Sequence, residues 1–113
     1  MEKKSVVITS SVRTAVGSLG RTLKNVPSEK LGSAVISEAI KRSKIKPEEI
    51  DEVIMGQVLT SAAGQNPARQ AAIKAGINKE KTATTINQVC GSGLSAISLG
   101  FNSLKLDDGN III

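Results

Sequence analysis

The residue with the clearest chemical capacity is a single thiol. Cys90 lies in the run Asn87-Gln88-Val89-Cys90-Gly91-Ser92-Gly93-Leu94. An unperturbed cysteine has a pKa of about 8.5, so only a few per cent is the nucleophilic thiolate at neutral pH. Its neighbours suit activation. Thr84-Thr85-Ile86 reads as a short strand before it, and Gly93 to Leu106 as a helix after it. A helix start offers unpaired N–H groups and a partial positive charge, which favour the ionised form of a thiol placed there. The same N–H groups can hold the oxygen that becomes negative when a carbonyl is attacked. Gly91 and Gly93 are expected to let the backbone turn sharply, to leave room for a substrate and to present that helix start. Strand, sharp turn, nucleophile, helix is also the logic of the serine nucleophile elbow of hydrolases.

Two other readings of the same letters stand beside this one. A lone cysteine is commonly a small buried hydrophobe. Gly91-Ser92-Gly93-Leu94-Ser95-Ala96 also fits the G-x-G-x-x-A dinucleotide fingerprint. That motif wants a carboxylate about 20 residues further on, at the end of the next strand. The corresponding region is Ile111-Ile112-Ile113, and Asp107 and Asp108 come too early, in a turn.

The elements that must position Cys90 follow from hydrophobic pattern and breakers. Ser5 to Ser11, β-branched at Val6, Val7, Ile8 and Thr9, predicts a buried first strand. A loop with Gly17, Gly20 and Pro27 follows. Ser28 is placed to cap a helix, with Glu29 in its first turn. Leu31, Ala34, Val35, Ala39 and Ile40 form its apolar face, and Pro47 bars its continuation. Val53-Ile54-Met55 predicts a second strand that ends near Gly56. Asn66 and Pro67 suit the N-cap and first position of a second helix, with Ala68, Ala71, Ala72 and Ala75 as a close-packing face and Gly76 as the stop. Asp107-Asp108-Gly109 is a turn, and Asn110 to Ile113 opens a fourth strand. The order βαβαβαβ predicts an α/β fold: a mostly parallel sheet with right-handed crossovers and helices on both faces. The third helix carries apolar or small residues around most of its surface, from Leu94 through Phe101 to Leu104, so something besides one sheet is expected to cover it. A chain that stops inside an apolar strand at Ile113 is expected to be a fragment of a longer protein.

Composition narrows the function classes. The 113 residues suffice for one modest core, and 40% hydrophobic with 22% charged residues reads as globular and soluble. With no Trp, no Tyr and one Phe, the chain has no stacking platform for bases, and no nucleic-acid partner is expected. The net charge of +5 is spread along the chain. One cluster, Lys41, Arg42, Lys44 and Lys46, fits a solvated helix end where cations meet the dipole, with an anionic partner as the alternative. A single cysteine forms no internal disulfide, the segment Val6-Val7-Ile8 is too short for a signal peptide's apolar region, and no run approaches the roughly 20 residues that span a bilayer. Cytoplasm without membrane attachment is the expected location. There is no His.

Four segments together resemble the landmarks of thiolases: Arg13-Thr14 followed by Gly17, Glu52-Val53-Ile54-Met55-Gly56, Gly64-Gln65-Asn66-Pro67-Ala68-Arg69-Gln70, and Asn87 to Leu94 around the cysteine. The match is collinear over nearly the whole chain, and the subgroup it most resembles is the biosynthetic acetyl-CoA acetyltransferases. The resemblance implies that Cys90 takes an acyl group from acetyl-CoA, releases CoA, and passes the acyl group to the carbanion of a second acetyl-CoA, or runs the reverse cleavage. CoA thioesters are then substrates in lipid metabolism, and neither a cofactor nor a metal is implied. It also implies a partial N-terminal domain over 1–113 without the C-terminal domain, two similar halves packed through their third helices, and a homo-oligomer, dimer or tetramer. Gln65, Asn66 and Val89 are implied to lie near the site or the dimer interface. The family's activating His and second Cys have no counterpart here, so the isolated chain is expected to be catalytically incomplete. A ketoacyl-synthase-like condensing enzyme and an inert truncated module remain the alternatives.

Overall fold

The computed structural model describes residues 4–113. Helix α1 (Ser28–Ser43) is followed by a short 3-10 turn (Pro47–Glu49), strand β1 (Glu52–Gly56), helix α2 (Pro67–Lys74), strand β2 (Thr82–Ile86) and helix α3 (Ser92–Lys105). The strands β1 and β2 run parallel, with Val53 opposite Ala83 and Met55 opposite Thr85. Beyond the other edge of β1 the last residues lie parallel to it. Asp51 N–H donates to the Ile111 carbonyl at 2.9 Å, and Ile113 N–H donates to the Glu52 carbonyl at 3.0 Å. The expected fourth strand is thus present as a bridged segment, Glu52 to Ile112.

Alternation along β1 sorts the helices onto opposite faces. Val53 and Met55 point to the core built with Ile36 and Ile40 of α1 and Ala71 and Ala72 of α2. Gly56 points the other way, against the start of α3. Ile112 likewise faces α3, where it lies against Gly100. The α1–α2 contact is tight because Gly32 has no side chain: a Cβ there would lie 2.9 Å from the Cβ of Ala71. The small face expected on α2 is real, with Ala68, Ala71 and Ala72 buried. On α1 the buried line is Gly32, Ile36 and Ile40. Ile36 belongs to that line although the sequence reading omitted it, and Ala34, which that reading included, is exposed.

Two expectations fail. Ser5 to Ser11 forms no strand, and Val7 and Ile8 are 71% and 80% exposed. The edges of β1 are occupied by β2 and by residues 111–113, and the segment makes no ladder bonds to either; side-chain contacts such as Thr9 Oγ1 to Ser43 Oγ (2.9 Å) hold it instead. Ser28 does not cap α1. Pro27 occupies the N-cap and Ser28 is already helical, with no side-chain cap bond. The cap at Asn66, by contrast, is made as expected: its side chain accepts the Arg69 N–H at 3.2 Å and Pro67 is the first helical residue.

Asp51 secures the last segment. Its carboxylate accepts from the N–H groups of Asn110 (2.7 Å) and Ile111 (3.2 Å) and from Lys81 Nζ (3.3 Å). The Asn110 N–H, then the Ile111 N–H, and then Lys81 hold its pKa below the ordinary 3.8. A folded-state pKa below the unfolded one stabilises the protein above the unfolded value, and that contribution is lost as pH falls through the folded value. Asp51→Asn is therefore expected to lower stability near neutral pH by about 1–2 kcal/mol. It should also make the loss of stability between about pH 5 and about pH 2 shallower than in the parent chain. Urea unfolding midpoints measured across that range check both.

Candidate active site

The loops after β1 and β2 leave the sheet at the carboxyl ends of its parallel strands, the edge where open α/β sheets place their ligands. The loop after β1 and the loop after β2 are joined there. Gln57 N–H donates to the Ile86 carbonyl (3.0 Å), and Asn87 Nδ2 donates to the Val58 carbonyl (3.0 Å). Cys90 sits in the second of these loops, exposed, two residues before α3 begins.

The turn around Cys90 is made of hydrogen bonds to its neighbours. Val89 has a φ of 48°. That left-handed conformation is an outlier for a β-branched residue, whose Cβ crowds the backbone there. Asn87 Oδ1 accepts the Val89 N–H at 2.9 Å. The Val89 carbonyl accepts both the Ser92 hydroxyl (2.6 Å) and the Ser92 N–H (3.1 Å). The Ser92 hydroxyl in turn accepts the Gln88 N–H at 2.9 Å, and Ser95 Oγ bonds Gln88 Oε1. Ser92 is buried, 4% exposed.

The expected division of labour between the glycines changes. Gly91 has a φ of −85°, which any residue adopts, so Val89 and not Gly91 makes the sharp turn. The Gly91 N–H is already bonded to the Gln88 carbonyl at 2.9 Å. The Gly93 and Leu94 N–H groups find no acceptor among the described residues, as the first turn of a helix leaves them. A Cβ on Gly93 would meet nothing within 4 Å, so this position does leave open space beside the helix start.

The segment Gly64 to Gln70 acts as a brace. Asn66 Nδ2 donates to the Ala83 carbonyl (2.9 Å), and its Oδ1 accepts from Thr85 Oγ1 (2.7 Å). Arg69 donates to the carbonyls of Lys81 (2.7 Å) and Lys79 (2.6 Å), and Gln70 Nε2 to those of Ala63 (2.7 Å) and Gln65 (2.9 Å). Asn66, Thr85 and Asn87 line one open groove of about 530 Å³ beside the end of β2. Asn66 is thereby brought to the loop that carries Cys90. Gln65 is exposed and contributes its carbonyl to Gln70.

Three residues gain roles that the sequence reading did not give them: Asn87, Ser92 and Gly56. Serine in the first turn of a helix is a familiar partner for nearby backbone groups, so Ser92 carried a usable signal. Glycine closing an apolar strand signals a close backbone approach, and Gly56 makes one. A Cβ there would lie 2.6 Å from the Ser92 carbonyl carbon and 2.7 Å from the Gly93 nitrogen.

Comparison with known proteins yields a consistent set. The family model described as thiolase, N-terminal domain, matches residues 6–113. An acetyl-CoA acetyltransferase of Cupriavidus necator is 54% identical over 108 residues, covering 96% of this chain and 28% of that protein. One from Syntrophomonas wolfei is 56% identical over 110 residues, covering 97% of this chain and 28% of the relative. In three dimensions the chain resembles a thiolase from Ascaris suum crystallised in complex with coenzyme A, with a TM-score of 0.74 and 41% identity over 75% of this chain and 22% of that one. The chain therefore spans about 28% of the length of the curated relatives it matches.

Gly56→Ala tests how closely the Cys90 loop depends on β1. The added methyl group meets backbone, which has little freedom to yield. We expect a loss of about 1–3 kcal/mol in urea unfolding and broadened or shifted amide NMR signals for residues 88–94. An unchanged midpoint and unchanged signals would show that α3 can shift away from the strand without consequence.

Proposed function

This chain belongs to the thiolase N-terminal domain family, and from that premise we propose that it supplies the acyl-accepting cysteine of an acetyl-CoA acetyltransferase. The observation that carries the reading is the place of Cys90: exposed, after the carboxyl end of a parallel strand and at the entry of a helix, within the matched residues. The Cys90 thiolate attacks the carbonyl carbon of acetyl-CoA. The bond from that carbon to the CoA sulfur breaks, CoA leaves as a thiolate that takes up a proton, and the acetyl group stays on Cys90. A base removes an α-proton from a second acetyl-CoA, and the carbanion attacks the acetyl-Cys90 carbonyl. The bond to the Cys90 sulfur then breaks, which regenerates the thiolate and releases acetoacetyl-CoA. Thiolytic cleavage is the same sequence reversed. Free CoA is thus the product of the acylation step in synthesis and the substrate of its reversal in cleavage.

The base is the part these residues do not supply. The sequence contains no His and no second Cys, and the carbon–carbon step needs a positioned proton acceptor. We therefore assign residues 1–113 to a partial N-terminal domain that holds the acyl group, with the proton chemistry on a further domain. The exposed side of α3, where Leu94, Ile97 and Phe101 recur at helical spacing, supports that assignment because an apolar stripe of this kind is normally covered. A homo-oligomer, a cytoplasmic location and a place in lipid metabolism go with the same reading. Among the described residues no helix is long and apolar enough to cross a membrane.

Incubation with acetyl-CoA followed by peptide mass spectrometry tests the reading. We expect one acetyl group on Cys90, lost in Cys90→Ser, and no acetoacetyl-CoA formed by the isolated chain. An adduct that persists in Cys90→Ser, or no adduct on Cys90 at all, would sink the assignment of the acyl acceptor. Steady condensation by the isolated chain would sink the division of labour.

A further inference from the structure

We propose that Ser92 is a positioning residue for Cys90, acting through the left-handed backbone of Val89. The inference rests on the reading of Cys90 as the acyl acceptor but is carried by different observations. Val89 is held in a conformation that is costly for a β-branched residue and persists only where the surroundings enforce it. Here the enforcement can be named. Asn87 takes the Val89 N–H (2.9 Å), and Ser92 takes the Val89 carbonyl through both its hydroxyl (2.6 Å) and its N–H (3.1 Å).

The Ser92 hydroxyl fits this task more closely than it fits a helix cap. Its oxygen accepts from Gln88 N–H and its proton goes to the Val89 carbonyl, so it spans the turn just before Cys90. It is 4% exposed, so those bonds lie in a low-dielectric setting where they are strong. Ser92 is also pressed against the backbone of Gly56, where even a methyl group has no space, so the hydroxyl is anchored to the sheet. The chain of contacts runs from β1 through Ser92 to Val89, and Val89 precedes the thiol. With this brace in place the Cys90 backbone is delivered to the start of α3, beside the unpaired N–H groups of Gly93 and Leu94. Without it, Val89 relaxes to a negative φ and Cys90 moves away from the helix entry.

The test is the rate at which Cys90 is alkylated by iodoacetamide, compared with Ser92→Ala, Ser92→Thr and Asn87→Ala. A thiol held at a helix start reacts faster than one in a free loop, so Ser92→Ala is expected to slow alkylation at neutral pH by roughly 3–10-fold. Ser92→Thr keeps the hydroxyl but adds a methyl group at a close-packed position, so it should restore only part of the rate. Asn87→Ala removes the other hold on Val89 and should slow the reaction in the same way, which gives an independent route should Ser92→Ala fail to fold. Val89→Asn supplies the discriminating arm, because asparagine tolerates the left-handed region and needs less enforcement. In that background the cost of Ser92→Ala and of Asn87→Ala should shrink to less than about twofold. A merely structural serine predicts the opposite: a looser loop, alkylation unchanged or faster in Ser92→Ala, and no coupling to residue 89. Either result overturns the proposal. Failure of acetyl-CoA to acylate a Cys90 that shows the expected alkylation pattern would instead count against the enzymatic reading alone.

Discussion

Strand β1 buries both of its faces. Val53 and Met55 meet the core of α1 and α2, and Ile54 is buried in the alternating direction, on the side where α3 lies. An extended segment with two apolar faces has no way to sit at a surface, so helices must cover it from both sides. The rest of the described chain is arranged by that demand. The α1–α2 pair closes over one face through the Gly32–Ala71 approach, and α3 closes over the other through Gly56 and Gly100. At Gly32 and Gly56 glycine stands where a methyl group would not fit, which sets how closely the layers approach.

That rigid spacing is what permits a strained turn to hold. The loop carrying Cys90 has few apolar contacts of its own, and Val89 stands in a region of backbone space that its side chain opposes. Polar groups compensate. Asn87, Ser92 and Gln88 exchange bonds at 2.6–3.1 Å around the turn, and Asn87 carries the connection onward to Val58 in the loop after β1. Asn66 performs the same service for the helix before it, joining α2 to β2 through Ala83 and Thr85. The two asparagines border one groove, so the loops that follow β1 and β2 behave as one braced rim.

The outer side of α3 belongs to a different physical account. Ala96, Gly100 and Ser92 face the sheet and are buried, whereas Leu94, Ile97 and Phe101 stand 71%, 61% and 46% exposed. A helix that is apolar on both sides is stable only between two layers. One layer is described here, and the curated relatives are several times longer than this chain. The function proposed above and the uncovered side of α3 call for the same thing, further protein packed beside this helix.

Much of the architecture was legible in the residues themselves. Asn66-Pro67 marked the start of α2 and the alanines marked its packing face, because capping and side-chain size act over a few residues and leave a local trace. Cys90 between a strand and a helix was readable for the same reason. The first segment was misread because Val6-Val7-Ile8 has the composition of a strand, yet a strand exists only where a neighbour supplies hydrogen-bond partners, and pairing partners are distant in sequence. The roles of the glycines were also decided in three dimensions. Sequence spacing placed the sharp turn at Gly91 and Gly93, whereas the structure places it at Val89, because the bonds that enforce a positive φ come from Asn87 and Ser92 acting together. By itself, then, the sequence pointed to Cys90 as the candidate nucleophile and marked which segments are helical, since both are written in local pattern. The tertiary structure alone decided what Gly32 and Gly56 make room for, which faces of β1 meet which helix, and how the backbone before Cys90 is held, since each depends on contacts between residues far apart in the chain.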